Sequence, residues 1–100
     1  MTHVVVCWLK KPGDAEARCK VMEASAVLRS IPGVLDVHAG TMIPSSRKTV
    51  DSSFDVALVI VLENEEVLRQ YVTHPIHQKI VRETIQPLVR KYVAYDFRGE

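Results

Sequence analysis

Glycine, cysteine and aromatic residues are scarce in this chain, and neither sign of charge dominates it. Its four glycines form no Gly-x-Gly or P-loop pattern, so nucleotide chemistry has no support. Two cysteines, Cys7 and Cys19, make neither a disulfide framework nor a zinc pattern. Six aromatics do not interleave with basic residues as a stacking platform requires, and a net charge of +1 leaves no footprint for nucleic acid or an anionic membrane. No apolar run approaches the ~20 residues of a membrane helix. The opening "MTHVVVCWLK" lacks the basic flank and the long apolar stretch of a signal peptide. The expectation is a soluble cytoplasmic protein with reduced thiols, in which residues 1–100 form a single domain.

What is present is ordinary globular composition, 47% apolar and 25% charged. "HVVVCWLK" (His3 to Lys10) is short and β-branched, and Pro12–Gly13 ends it, which predicts a strand and a turn. From the N-cap residue Asp14, the residues Ala17, Val21, Ala24 and Leu28 recur at helical spacing. That helix should stop before "IPGV", because Pro32 disfavours the α conformation at Ile31 and Gly33 permits a turn. "VLDVHAG" (Val34 to Gly40) reads as a second strand. Thr41 to Ser53 is polar and unpatterned, a long loop. "FDVALVIVLE" (Phe54 to Glu63) carries an unbroken apolar run, Val56 to Leu62, short and branched enough for a strand buried on both faces.

Asn64 then caps a short helix with Val67, Leu68 and Tyr71 on its apolar side. Pro75 restarts a second helix, along which Ile76, Ile80, Thr84 and Leu88 repeat until Pro87 kinks or ends it. "KYVAYDF" (Lys91 to Phe97) closes the chain as a strand. The order β-α-β-β-α-β is an α+β, ferredoxin-like pattern, with a four-stranded antiparallel sheet and its helices on one face. Alternation sends His3, Val5, Cys7 and Leu9 one way and Val4, Val6 and Trp8 the other. Both sets are largely apolar, yet helices can cover only one face. The bare face exceeds what monomers usually expose. A second copy packed sheet to sheet through the Val4, Val6 and Trp8 side is therefore the expected cover, a homodimer with a barrel-like core.

The pieces "HVVVCWLK", "IPGV", "FDVALVIVLE", "YVTHPIHQKIV", "IQPLV" and "YDF", in this order along nearly the whole chain, resemble the stress-responsive A/B barrel domain family, the dimeric α+β barrels. "Y-x-x-HP-x-H" is the most specific of them. The resemblance implies a ferredoxin-like protomer and a two-fold dimer. The family includes stress-induced plant proteins, a plant polyketide cyclase that works without metal or cofactor, and many bacterial members with no assigned activity. The cyclase's pocket tyrosine and histidine correspond to Tyr71 and His77, and its N-terminal strand histidine to His3. Apolar Val56 stands where the cyclase has a further histidine near the start of the third strand.

The residues themselves admit two readings each. His77, early in the helix that Pro75 begins, is disfavoured as imidazolium by the helix N-terminus. As a neutral base it accepts a proton from a carbon acid or orients a carbonyl; otherwise it packs beside Tyr71. Tyr71 is core, or hydrogen-bonds a substrate oxygen. His3 is a satisfied strand histidine, or reaches the His77 pocket. His74, before proline, is a structural turn residue at an N-cap. His74 and His77 are three apart, but the helix begins between them, so no metal is expected. No cofactor is expected either. Cys7 and Cys19 read as small apolar groups. Asp96, Arg82, Glu83, His38, Arg47 and Lys48 read as edge or surface charges.

The leading expectation is a dimeric module of uncertain activity that binds a small apolar or aromatic ligand between helices and sheet. Its alternative is a cofactor-independent cyclase, lyase or isomerase acting on a polyketide-like or small ketone substrate, with His77 as acid/base and Tyr71 and His3 orienting the oxygen. A small monooxygenase is a third idea, from fold analogy alone. A cavity of roughly 300 Å³ or more beside Tyr71 and His77 would favour an enzyme.

Overall fold

Strand β1 (Thr2–Leu9) pairs antiparallel with β3 (Val56–Leu62) on one side and with β4 (Val89–Phe97) on the other; β2 (Val34–Thr41) completes the sheet beside β3, giving the order β2-β3-β1-β4. The computed structural model describes residues 1–99. The two most apolar strands are the central ones, as burial requires. β3 alternates fully buried and half-buried residues along its whole length, so the helix-facing half of its apolar run is sealed and the other half is not.

Helix α1 (Ala15–Ala26) starts where Asp14 accepts hydrogen bonds from the Glu16 and Ala17 amides, at 3.1 and 3.2 Å, and runs into a 3₁₀ turn, Val27–Ser30. Its buried residues are Ala17, Val21 and Ser25, not Ala24. Ser25 is tolerated inside because its hydroxyl donates to the Met22 carbonyl at 2.7 Å. Helix α2 (Glu65–Thr73) is capped by Asn64, whose side chain accepts from the Val67 amide at 3.0 Å. His74 ends α2 and caps α3 (Pro75–Ile80), accepting from the Ile76 amide through Nδ1 at 3.1 Å.

Beyond α3 the helix widens into a π turn, Val81–Ile85, and finishes with Gln86–Leu88. Pro87 supplies the physical reason: it has no N–H for the carbonyl four residues back. The ladder slips instead by one residue, and the Gln86 amide bonds the Val81 carbonyl. The expected kink at Pro87 is thus absorbed before the proline, and β4 begins directly at Val89.

The core gathers Cys7, Leu9, Val56, Leu58, Ile60 and Leu62 from the sheet against Val21, Leu28, Ile31 and Tyr71. The opposite face has no cover among the described residues. There the register aligns Val4 with Val59 and Tyr95, and Val6 with Ala57 and Val93. Tyr95 and Phe97 are more than half exposed. Lys91 lies 4.8 Å from the Trp8 ring centroid on this same face.

One turn fixes how α2 sits on the sheet. Gly33 has φ +87°, and a Cβ there would come within 2.5 and 2.8 Å of the Val67 methyls. Gly33→Ala should cost about 3 kcal/mol, left-handed strain plus overpacking. Gly13→Ala, at φ +76° with open space around it, should cost only about 1 kcal/mol. Urea denaturation of the two variants checks this, and equal losses would remove the Val67 contact from the account.

Candidate functional site

The helices do not reach across β4. Its helix-side residues Tyr92, Ala94 and Asp96 remain exposed while the matching β1 residues Cys7 and His3 are buried. This mismatch leaves a cavity of about 230 Å³ between β1, β4, α1 and the α3–π segment. Its walls are mostly aliphatic, with Val5, Val21, Leu58, Ile80 and Ile85 among them. Its polar groups are His3, Ser25, Tyr71, His77 and Tyr92. The volume is below the ~300 Å³ usual for drug-sized ligands. It exceeds the ~150 Å³ of an apolar cavity that takes up benzene.

Each sequence-predicted residue can now be placed. Tyr71 is almost wholly buried and stands between the two imidazoles: its ring centroid is 5.7 Å from that of His3, edge-on at 69°, and 4.7 Å from that of His77, tilted at 54°. Burial pushes its phenol well above the ordinary value, so it remains a proton donor. Burial also lowers the pKa of His77; the Val72 backbone partly opposes this and His3 adds to it. His77 is therefore neutral near pH 7, and its buried Nδ1 has no hydrogen-bond partner among the described residues. A buried polar atom left unpaired is costly unless something else meets it.

His3, His77 and Tyr71 thus share one cavity. His74 does not line it and serves as the cap between α2 and α3. Cys7 is part of the wall, and burial raises its thiol to about 11, which leaves it protonated and a poor nucleophile.

Asp96 is an exposed charge on the edge strand β4, as expected, and it has a partner that the sequence did not show. Its Oδ1 pairs with Nδ1 of His3 across the β1–β4 register, where the two residues face each other directly. The carboxylate fixes the imidazole and leaves Nε2 as the ring nitrogen for a ligand. The signal in the sequence was the alternation in "YVAYDF", which puts Tyr92, Ala94 and Asp96 on one face. Tyr92 was missed as a wall residue for the same reason: it looks like a surface position until the register is known. Among the described residues, no cluster of three or more histidine, cysteine, aspartate or glutamate side chains is arranged to hold a metal ion.

The protein is similar in fold to a ferredoxin-like Dabb family protein from Mesorhizobium loti, at 21% identity over 99% of this chain and 95% of that one, TM-score 0.79. A dimeric ferredoxin-like protein of unknown function from Thermobifida fusca matches at 22% identity, over 98% and 89%, TM-score 0.76. A hydroxynitrile lyase from Passiflora edulis matches at 16% identity, over 99% and 94%, TM-score 0.78. At these identities the likeness establishes the fold alone. No curated protein matches the sequence. The family model described as the stress responsive A/B barrel domain matches residues 1–98, and the chain belongs to that family.

Proposed function

We propose that the protein is a cytosolic homodimer that binds a small apolar or aromatic molecule in the cavity beside Tyr71 and His77. The observation that carries this reading is the cavity itself, apolar in its walls and set with a few convergent polar groups. Dimerisation through the Val4, Val6 and Trp8 face is supported by the bare apolar sheet and by fold neighbours described as dimeric. Two free thiols suit a reducing compartment.

A thermal-shift screen of single-ring aromatics tests the cavity. A ligand at tenfold over its Kd adds about 1.4 kcal/mol and raises Tm by roughly 6 to 11 °C. Ala94→Phe, at an exposed position on the cavity wall, should abolish the shift. A shift that survives it would move the ligand elsewhere.

One observation favours a second reading, cofactor-independent acid/base chemistry on a small ketone or polyketide-like substrate. The Nδ1 of neutral His77, unpartnered among the described residues, is poised to accept a proton from a carbon acid, while Tyr71 donates to the developing oxyanion and the Asp96-held ring of His3 orients the substrate beside it. Wild-type protein should then exchange the α-protons of a small ketone in deuterated water, and His77→Ala should slow this by ~100-fold or more. Because the pKa of His77 is lowered, the base form persists below the ordinary histidine value of ~6.5 and is lost only as pH falls further. Equal exchange by both proteins would dismiss His77 as the base.

A further inference from the structure

We infer that the ligand of the cavity is an anion, a small aryl or alkyl carboxylic acid whose charged end is held at the cavity mouth by Arg82. This inference rests on the cavity reading above and adds the class of ligand to it. A shallow vestibule of about 330 Å³ adjoins the cavity and shares Val72, His77, Val81 and Tyr92 with it as common wall. Its remaining lining is Gln78, Arg82 and Gln86. These three stand four residues apart, in a stripe that the π turn Val81–Ile85 carries across the mouth.

Among the described residues the vestibule is lined by one cation, two side-chain amides and a phenol, with no carboxylate. Neighbouring Glu83 lines a different depression, with Ala24 and Lys79. Arg29, Arg69 and Arg98 pair with Asp36, Glu66 and Glu65, whereas Arg82 makes no ion pair among the described residues. A forked guanidinium flanked by amide donors matches a carboxylate.

At the other end of the cavity the imidazole of His3 is already paired with Asp96 and offers an anion no free cation. Along β4, Asp96 lies four residues beyond Tyr92, or ~13 Å at strand spacing, and its carboxylate is spent on His3. An amphipathic acid therefore has one favourable orientation, apolar part inward and carboxylate outward at Arg82, with His77 at the junction of the two compartments.

Titration calorimetry with 4-phenylbutanoate and its neutral amide, on wild type, Arg82→Gln and Arg82→Glu, tests this. The acid should bind wild type roughly fivefold more tightly than the amide, the value of a partly exposed ion pair. That advantage should shrink with added salt. Arg82→Gln should bring the acid down to the level of the amide, and Arg82→Glu should make the amide the better ligand. Equal binding of acid and amide to wild type, or a preference that survives Arg82→Gln, overturns the inference and leaves the cavity reading standing. Binding of neither compound to wild type overturns both.

Discussion

Val59→Asp should convert the proposed dimer into a folded monomer. Val59 sits in the central strand β3 on the uncovered face, opposite Val4. In a two-fold assembly each protomer would bring its own aspartate to an apolar surface. Burying an unpaired carboxylate costs several kcal/mol, and the symmetry applies that cost twice. The dimer should weaken by ~1,000-fold or more, since every 1.4 kcal/mol is a factor of ten. The protomer should survive, because this face is solvated when it stands alone and the change costs only about 1 kcal/mol in strand preference. Sedimentation velocity at micromolar concentration, beside circular dichroism, reads both effects. A variant that sediments as the wild-type dimer places the interface elsewhere, and a monomeric wild type removes the dimer altogether.

Asp55→Ala should lower stability by about 4 kcal/mol, moving Tm down by roughly 15 °C or more in a domain of this size. Asp55 is buried just before β3 and acts as a clamp: Oδ2 accepts from the Leu9 amide and Oδ1 from the Gly13 amide, both at 2.9 Å. Its own amide donates to the Cys7 carbonyl at 2.9 Å. These bonds tie the turn between β1 and α1 to the neighbouring strand and so set where Asp14 can start the helix. Alanine leaves two backbone donors without partners, and unmade bonds cost more than made ones gain. Asp55→Asn keeps one acceptor and should lose about half as much. Chemical denaturation of the pair decides it: a loss under 1 kcal/mol for Asp55→Ala would show that water replaces the clamp.

The elements of the fold were legible because local chemistry and global position agree. Pro12–Gly13, Pro32–Gly33 and Pro75 punctuate the chain, and the branched runs at Val4–Val6 and Val56–Leu62 are the ones the sheet puts at its centre. The strand ends differ from expectation by a residue or two, where pairing partners rather than composition decide. The π turn had no signal beyond Pro87, because a slipped hydrogen bond leaves the apolar spacing nearly intact.

The candidate site was half legible. Tyr71, His77 and His3 were found through spacing and resemblance, and they do meet at one cavity. Asp96 escaped because its role depends on a register between strands 93 residues apart in sequence. Ser25 escaped because a helical repeat read by hydrophobicity prefers Ala24, whereas the interior took the hydroxyl and bonded it to its own helix.

Tyr71 has a consequence for how substitutions in related chains should be interpreted. It is among the largest fully buried side chains and is also the wall between His3 and His77. Losing it would leave a void costing about 3 to 5 kcal/mol, so a chain that abandoned all chemistry would still be held to keep it. Retention of this tyrosine therefore reports on folding. His77 and Arg82 are only partly buried or exposed, and their fate across relatives is the part of the record that can report on what the cavity is for.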